Sequence, residues 1–246
     1  MGKNLWDQAS PAFSFRYDGR PSSELLGEWE RREEAQRDGA VSTRRVIYRD
    51  SATGLEVTAQ LRTFDDTPAQ EYLLELANTS EEEEEENRNT PIIEDILPLD
   101  VSWNLPVDGR VTLHHAKGSS CLPDDFLPLT DEIRPRQVLS LAPVGGRSSN
   151  GTLPFMNLQL PEGGMILGVG WSGQWAVRIE RSQDALRVSA GMERTHLRLY
   201  PGERIRTPRI LVIPWDGDDP IVGQNLLRRT ILAHYTPRLD GDIAMP

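Results

Sequence analysis

The stretch VGGRSSNGTLPFMNLQLPEGGMILGVGWSGQWAVRIER, residues 144–181, decides the fold of this chain. It holds eight of the twenty glycines and two of the six tryptophans. Leu153–Leu160 is extended and largely apolar, Met165–Gly170 is continuously apolar, and Trp175–Glu180 alternates with a period of two residues. Glycine-containing turns separate these runs, and none of them has the 3.6-residue period of a helix. The stretch therefore predicts three consecutive strands in a β-meander.

The same stretch contains the pattern G-x-G-x-x-G at Gly168, Gly170 and Gly173. In a dinucleotide-binding fold these glycines open a helix whose N-terminal amides bind the pyrophosphate. Here the residues that follow alternate as a strand, so a phosphate would meet no helix. The sequence therefore predicts no nucleotide site.

Strands are also predicted on both sides of this stretch. Val41–Arg49 and Leu55–Phe64 are joined by a turn sequence, and the second run alternates apolar and polar residues, which predicts a hairpin. A convincing helix pattern comes only near the end, at Asp219–Tyr235, with Asp219 as a candidate N-cap and Pro220 at the first helical position.

About twelve strands followed by one helix predict an all-β fold, a large antiparallel two-sheet sandwich with a C-terminal helix. The expected organisation is a lead-in at residues 1–11, a β domain at residues 12–218, and a helix with a linker at residues 219–246. Residues 24–36 are open to two interpretations, because their apolar residues fit one face of a helix while a strand is also compatible.

Composition excludes some partners. The formal charge of −11 overstates the acidity of the folded part, because Glu81–Glu86 alone supplies six of the 38 acidic residues. Such a run stays solvated, so Ser80–Thr90 is predicted to be a charged loop. Basic residues form only small, scattered clusters, which argues against nucleic acid as a partner. The sequence has no run of roughly 18 apolar residues for a membrane span and no signal-peptide pattern, so we expect a cytoplasmic protein without a membrane partner.

Cysteine and histidine limit the chemistry further. Cys121 is the only cysteine, which excludes an intramolecular disulfide and a multi-cysteine metal site. His114 and His115 are adjacent on a predicted strand and point to opposite faces, so they do not chelate one metal together. We expect one of them to be packed and the other exposed, and we expect no metal site and no cofactor.

Seven short motifs together resemble one protein family. They are FSFRYDG (13–19), PIIEDI (91–96), LHHAKG (113–118), GRSSNG (146–151), GWSGQW (170–175), GMERTH (191–196) and GQNLLRR (223–229). As a set they resemble the N-terminal β-supersandwich domain, galactose-mutarotase-like in fold, of bacterial melibiase-type α-galactosidases (glycoside hydrolase family 36). The resemblance covers about residues 12–240. In such relatives the region around residues 25–29 is a strand, which favours a strand for residues 24–36.

The resemblance implies a non-catalytic role for this chain. Such relatives continue into a (β/α)8 barrel with two catalytic aspartates for retaining cleavage of α-galactosides, a chemistry that needs carboxyl groups ~5 Å apart. The chain ends at Pro246, about where the barrel would begin, and Asp65–Asp66 and Asp124–Asp125 match no catalytic motif of the family. We therefore expect no catalytic residue here. The implied role is to support the barrel of the same enzyme, to help assemble homo-oligomers and to reach the active-site rim, with α-galactosides as ligands.

Five residues are candidates for contact with a carbohydrate or with the barrel, namely Asp124, Asp125, Arg147, Trp171 and Trp175. A tryptophan face stacks on sugar C–H groups, and arginine or aspartate hydrogen-bonds to hydroxyls. The adjacent aspartates also fit a turn in the proline-bounded loop 121–129, and both choices stay open. Burying a tryptophan removes about 200 Å² from water, so packing alone accounts for the two rings, and we favour that interpretation.

Two other functions compete with the supporting role. The first is a stand-alone carbohydrate-binding β-sandwich that uses exposed tryptophan and arginine. The second is an enzyme of the aldose-epimerase type, which shares the supersandwich shape and needs a positioned histidine and glutamate as acid and base. His114, His115 and His196 are available for that chemistry, although none stands in an epimerase pattern.

Overall fold

The computed structural model describes residues 11–80, 88–240 and 242–244. Strands make up 52% of the structure and helices 8%, which confirms the all-β fold with a C-terminal helix. Within the described residues the strands are β1 Ser14–Tyr17, β2 Arg20–Pro21, β3 Glu30–Asp38, β4 Val41–Arg49, β5 Leu55–Phe64, β6 Thr67–Asn78, β7 Ile93–Leu97, β8 Leu99–Asn104, β9 Thr112–Ala116, β10 Pro128–Glu132, β11 Gln137–Leu141, β12 Phe155–Leu160, β13 Gly163–Gly170, β14 Trp175–Arg181, β15 Ala185–Met192, β16 His196–Leu197, β17 Arg204–Arg206, β18 Arg209–Asp216, β19 Arg238–Leu239 and β20 Asp242–Ile243. The helices of the same residues are α1 Ser22–Leu25 and α2 Ile221–His234.

The strands form two packed layers. One layer is a single antiparallel sheet with the order β10-β9-β12-β13-β18-β6-β5-β4-β3, and β17 adds to it beside β6. The other layer consists of two four-stranded antiparallel sheets, β11-β14-β15-β8 and β16-β7-β1-β2. Alternating apolar side chains from both layers fill the space between them in two buried clusters, one around Leu158 and Val177 and one around Val57 and Ile93. The fold is thus a sandwich whose second layer is divided.

The division of the second layer falls at Pro98. β7 ends just before it and pairs with β1, whereas β8 begins just after it and pairs with β15. Proline has no N–H to donate to a ladder. Asp95, within β7, has a positive φ of 49°, which further interrupts regular pairing. The chain therefore changes sheet at this point.

The predicted meander is correct for its first two strands and wrong for the third. β12 pairs with β13, with Leu158 opposite Met165, but β13 then pairs with β18. β14 lies in the other layer, between β11 and β15. The bend before Trp175 turns the chain across the interior, so that Trp175 and Leu167 belong to the same buried cluster from opposite layers.

The hairpin β4–β5 has the predicted bounds, whereas two other segments differ from expectation. Residues 24–36 contain the end of α1 as well as the expected strand, because β3 begins only at Glu30. α2 begins two residues after the predicted start, with Pro220 at the N-cap. The Asp219 carboxylate still accepts a hydrogen bond from the N–H of Ile221 at 2.9 Å. The Asp219 side chain therefore still caps the start of α2, although the N-cap position itself is one residue later, at Pro220.

α2 lies on the face of the large sheet that points away from the sandwich interior. Leu226 and Leu227 pack there against a buried cluster that includes Trp215 and Ile213. A Cβ atom at Gly223 would lie 2.6 Å from Cδ1 of Trp215, so glycine allows the helix its close approach.

Among the described residues, no helix is long and apolar enough to cross a membrane. The predicted charged loop at Ser80–Thr90 falls largely on residues 81–87, which lie outside the described residues.

Candidate functional site

Three loops at one end of the sandwich carry four of the five candidate residues. They are residues 117–127 between β9 and β10, residues 142–154 between β11 and β12, and residues 171–174 between β13 and β14. Trp175, the fifth candidate, is the first residue of β14. We call these three loops together the loop surface.

Hydrogen bonds hold the loop surface together. The N–H of Ser119 donates to the carbonyl of Ser149 at 2.8 Å. The Gln174 side chain accepts from the N–H of Gly146 at 2.9 Å and donates to the carbonyl of Pro143 at 2.7 Å. Each bond joins two different loops. The residues joined by each bond are far apart in the sequence, so it is the tertiary fold that brings these loops together.

Asp125 organises the first loop from within. Its carboxylate accepts hydrogen bonds from Oγ of Ser119 at 2.6 Å and from the N–H groups of Ser120, Cys121 and Leu122 at 2.8, 3.1 and 3.3 Å. The Ser119 bond and then these backbone bonds lower the pKa of Asp125. Of the two choices that the sequence left open, the structure supports the turn, because the carboxylate oxygens are occupied by the loop itself.

Asp124 forms an ion pair with Lys117. The hydrogen bond and the charge of that ammonium group lower the pKa of Asp124. A general acid needs a raised pKa so that it still holds a proton at neutral pH. Both aspartates have a lowered pKa and are ionised there, so neither is suited to protonate a leaving group.

The two tryptophans are packed, as we favoured from the sequence. Trp175 is fully buried, and its indole N–H donates to the carbonyl of Ser148 at 2.8 Å. Trp171 is half-buried against the same cluster, and the guanidinium of Arg206 lies 5.3 Å from its ring centroid. A buried ring and a ring covered by an arginine leave little face for a sugar to stack on.

Arg147 is exposed, and its side chain makes no hydrogen bond or ion pair with the part of the chain that the structure describes. Its backbone carbonyl accepts a hydrogen bond from the N–H of Asn150 at 3.1 Å, so the loop beneath the side chain is ordered. A guanidinium exposed in this way can bind a carboxylate or a carbonyl of a partner.

The sequence did not identify the exposed apolar residues of the loop surface. Leu122 and Phe126 are each 58% exposed, Leu127 is 45% exposed and Val144 is 65% exposed. Phe126 also has a positive φ of 61°, a conformation that is uncommon for a bulky residue. The signal was present in the run CLPDDFLPL at residues 121–129, whose apolar residues are too closely bounded by prolines to reach the core. Aromatic residues are enriched in protein–protein interfaces, so the outward ring of Phe126 is a candidate contact residue.

A second region is a groove of about 1190 Å³ that runs along β1, β8 and β15. Its aromatic lining residues, Phe13, Phe15 and Tyr48, are all buried. Arg187 and Asp100, which also line it, form a two-point ion pair at 2.7 and 2.8 Å. These two charged residues are therefore paired with each other, and the aromatic lining of the groove offers no exposed stacking face.

The histidines are dispersed over the fold. His115 packs against Asp131 at 2.7 Å with a side chain only 7% exposed, and His114 contacts Gln159 at 2.9 Å. His196 contacts Glu94 at 2.7 Å, but its side chain is 70% exposed and does not line the groove. In the described residues, no three histidine, cysteine, aspartate or glutamate side chains are grouped so as to hold a metal ion.

The described residues form an all-β sandwich with an exposed loop surface at one end. Similar folds occur in solved α-galactosidases. An α-galactosidase from Lactobacillus brevis matches 93% of this chain at 17% identity and a TM-score of 0.67. A GH36 α-galactosidase from Geobacillus stearothermophilus matches 91% at 17% identity and a TM-score of 0.63. An α-N-acetylgalactosaminidase from Bifidobacterium bifidum matches 94% at 12% identity and a TM-score of 0.55.

These likenesses confirm the fold that the sequence resemblance implied. The chain spans 31%, 32% and 35% of the length of those three proteins, respectively, so the fold corresponds to one part of each. No family model and no curated protein matches the chain.

Proposed function

We propose that this chain is the non-catalytic β-supersandwich domain of an α-galactosidase-like glycoside hydrolase. In this role it supports a catalytic barrel domain of the same enzyme, takes part in oligomer assembly and contributes to the rim of the active site. The observation that carries the proposal is the coverage of the comparisons, since nearly all of this chain corresponds to about a third of each solved glycosidase.

The chemistry of the described residues supports a non-catalytic role. Retaining cleavage needs two carboxyl groups ~5 Å apart, one of which holds a proton. Asp124 and Asp125 are both ionised and are engaged by Lys117 and by the loop backbone. The buried carboxylate of Glu71 contacts Arg62 at 2.6 Å and Arg209 at 3.7 Å. These carboxylates are committed to structural contacts.

The loop surface supports contact with the barrel in preference to contact with a sugar. Trp171 and Trp175 are packed inward, whereas Phe126, Leu122 and Val144 are outward and Arg147 is exposed. Protein interfaces are enriched in aromatic residues and arginine at such positions, surrounded by a polar rim. We therefore assign the loop surface to the barrel, and the stand-alone carbohydrate-binding function stays the alternative.

The first test is activity. The purified chain is expected to hydrolyse no chromogenic α-galactoside. Turnover that a point mutation within residues 1–246 abolishes would overturn the proposal, and turnover that survives every acid-to-amide change would indicate a contaminating enzyme. Sequencing the DNA downstream of codon 246 provides a second test, because a reading frame that stops there contradicts a barrel domain in the same chain.

The third test is docking. With the downstream barrel supplied as a separate polypeptide, Phe126→Ser is expected to weaken association on the order of tenfold or more, as truncation of an aromatic interface residue does. Val107→Ser is the matched control, because Val107 is 51% exposed and lies toward the Arg181 end of β14, away from the loop surface. Equal affinities of the two variants would show that the barrel docks elsewhere. Titration calorimetry with galactose tests the alternative function on the same samples.

A further inference from the structure

The strand β3 forms an open edge of the large sheet. It pairs with β4 along its whole length, from Glu30 opposite Arg49 to Asp38 opposite Val41. Its other side meets no strand within the described residues. All nine of its residues are exposed. An edge of this length presents a row of free N–H and C=O groups, which is a template for pairing with another strand.

The sequence of β3, ERREEAQRD, restricts which strand can pair with it. Seven of its nine side chains are charged, and the charges alternate in blocks of both signs. Like charges directly opposite each other on neighbouring strands are destabilising, whereas opposite charges are favourable. The charge pattern therefore blocks most pairings and selects any strand whose charges are complementary.

A second copy of β3 is complementary in one register. Consider two antiparallel copies related by a two-fold axis perpendicular to the sheet. Residues that lie opposite each other then point to the same face of the joined sheet, and because side chains alternate along each strand, the pairing must be centred on one residue that lies opposite its own copy. When that residue is Ala35, the small side chains meet on the axis. Glu33 then lies opposite Arg37 of the copy, and Arg32 lies opposite Asp38 of the copy. Each contact occurs twice, which gives opposite charges at every charged pair of the register.

Neighbouring registers are unfavourable. Centring the pair on Glu34 or on Glu33 places two identical carboxylates opposite each other. Centring it on Gln36 places Glu34 opposite Asp38. Only the register through Ala35 combines a long overlap with complementary charges. An apolar edge strand would pair with many other strands, whereas the charges of β3 restrict pairing between two copies to this one register.

We propose that β3 is a self-association interface, at which two copies of this chain join their large sheets edge to edge about a two-fold axis through Ala35. Contacts already present within the chain are compatible with this arrangement. Glu33 pairs with Arg44 at 2.6 Å, and Arg37 pairs with Asp65, but both contacts are solvent-exposed and therefore readily exchanged. The inference rests on the assembly role proposed above and names the surface that performs it.

Charge reversal tests the register. Sedimentation equilibrium of the chain at micromolar concentrations is expected to show a monomer–dimer equilibrium. Glu33→Arg places arginine opposite Arg37 twice in each dimer, and we expect a dissociation constant on the order of tenfold higher. The double variant Glu33→Arg with Arg37→Glu restores opposite charges and is expected to recover the parental constant. Glu162→Arg, an exposed reversal in the β12–β13 turn, is the matched control and should leave it unchanged.

Cross-linking tests the axis. In a Cys121→Ser background, Ala35→Cys places two thiols opposite each other, at the Cβ separation of roughly 4.5–5.5 Å of a cross-strand pair, which is close to disulfide geometry. Asp38→Cys in the same background puts the thiols on opposite ends of the overlap. Mild oxidation is expected to cross-link the first variant and not the second.

Three outcomes would overturn the inference. A parent chain that stays monomeric at all concentrations contradicts the interface. A dimer whose dissociation constant is unchanged by Glu33→Arg contradicts the use of β3. A folded double variant that does not recover the parental dissociation constant contradicts the register. Melting curves of every variant separate misfolding from lost association. These measurements use the chain alone. A monomeric result would therefore contradict the β3 interface but not the barrel-supporting role, which the docking test examines separately.

Discussion

The side-chain carbonyl of Asn157 accepts a hydrogen bond from the indole N–H of Trp215 at 2.9 Å, and both side chains are buried. The amide group of Asn157 donates in turn to the carbonyl of Pro220, also at 2.9 Å. One side chain thus connects β12, β18 and the residue that precedes α2. These bonds fix where the C-terminal helix starts on the sheet.

Asn157→Ala is expected to destabilise the fold by about 2–4 kcal/mol, because it leaves the buried indole N–H of Trp215 without a partner and removes the stronger of two donors to the carbonyl of Pro220. For a chain of this size that corresponds to a melting temperature lower by roughly 4–16 °C. Differential scanning calorimetry measures it. Asn225→Ala, on the exposed side of α2, is the control and should stay within about 0.5 kcal/mol of the parent. Equal melting of the two variants would show that the Asn157 bonds contribute nothing.

Gly223→Ala tests the approach of α2 to Trp215. Alanine favours a helix by about 1 kcal/mol over glycine, but its Cβ would lie 2.6 Å from Trp215, and such overpacking costs about 1–3 kcal/mol. We expect a net loss of stability in urea unfolding. At Gly27 a Cβ atom would meet nothing within 4 Å, so Gly27→Ala is expected to be neutral or slightly stabilising. A Gly223→Ala variant more stable than the parent would mean that helix and sheet are not in close contact.

Trp175→Ala is expected to act on stability and not on sugar binding. The ring is fully buried, and truncations of that kind cost about 3–5 kcal/mol. Thermal melting and titration with a galactoside on the same preparation separate the two effects. A variant that melts like the parent but loses a measurable galactoside affinity would contradict the packing role and favour the carbohydrate-binding alternative.

Tyr17 makes stability depend on alkaline pH. Burial is the main cause that raises the pKa of Tyr17 to about 12, while its hydroxyl donates to Oγ1 of Thr53 at 2.6 Å. The unfolded phenol ionises near pH 10, so the unfolded state loses its proton first. The stabilisation is complete below about pH 10 and decreases as the pH rises toward 12. Urea unfolding at pH 8 to 11.5 is expected to show a smaller decrease in the free energy of unfolding for Tyr17→Phe than for the parent. An identical pH dependence in both proteins would show that Tyr17 does not cause the loss of stability.

The sequence was most informative where local pattern and tertiary context agree. β4, β5 and α2 were predicted because alternation, turn residues and helical spacing are read within single segments. The division of the second layer at Pro98 was not predictable, because it depends on which distant strands β7 and β8 pair with. The four-residue helix α1 was missed for a similar reason, since so short a helix has too few residues for a periodic signal.

The candidate site shows the same contrast. The choice between a turn and a ligand contact at Asp124 and Asp125 needed the position of the Ser119 hydroxyl and of the backbone N–H groups around it. Exposure of Phe126 could not be read from hydrophobicity, which predicts burial. The packing of Trp175 was predicted because burial of a large ring is favourable in almost any sandwich.

Cys121 gives the loop surface a practical property. It is the only cysteine of the chain, it is free and exposed, and it lies next to Leu122. A thiol-reactive fluorophore would therefore label the unmodified protein at a single known position. The rate of that labelling reaction reports, in real time, whatever covers the surface, and each binding partner can be ranked by how far it slows the reaction.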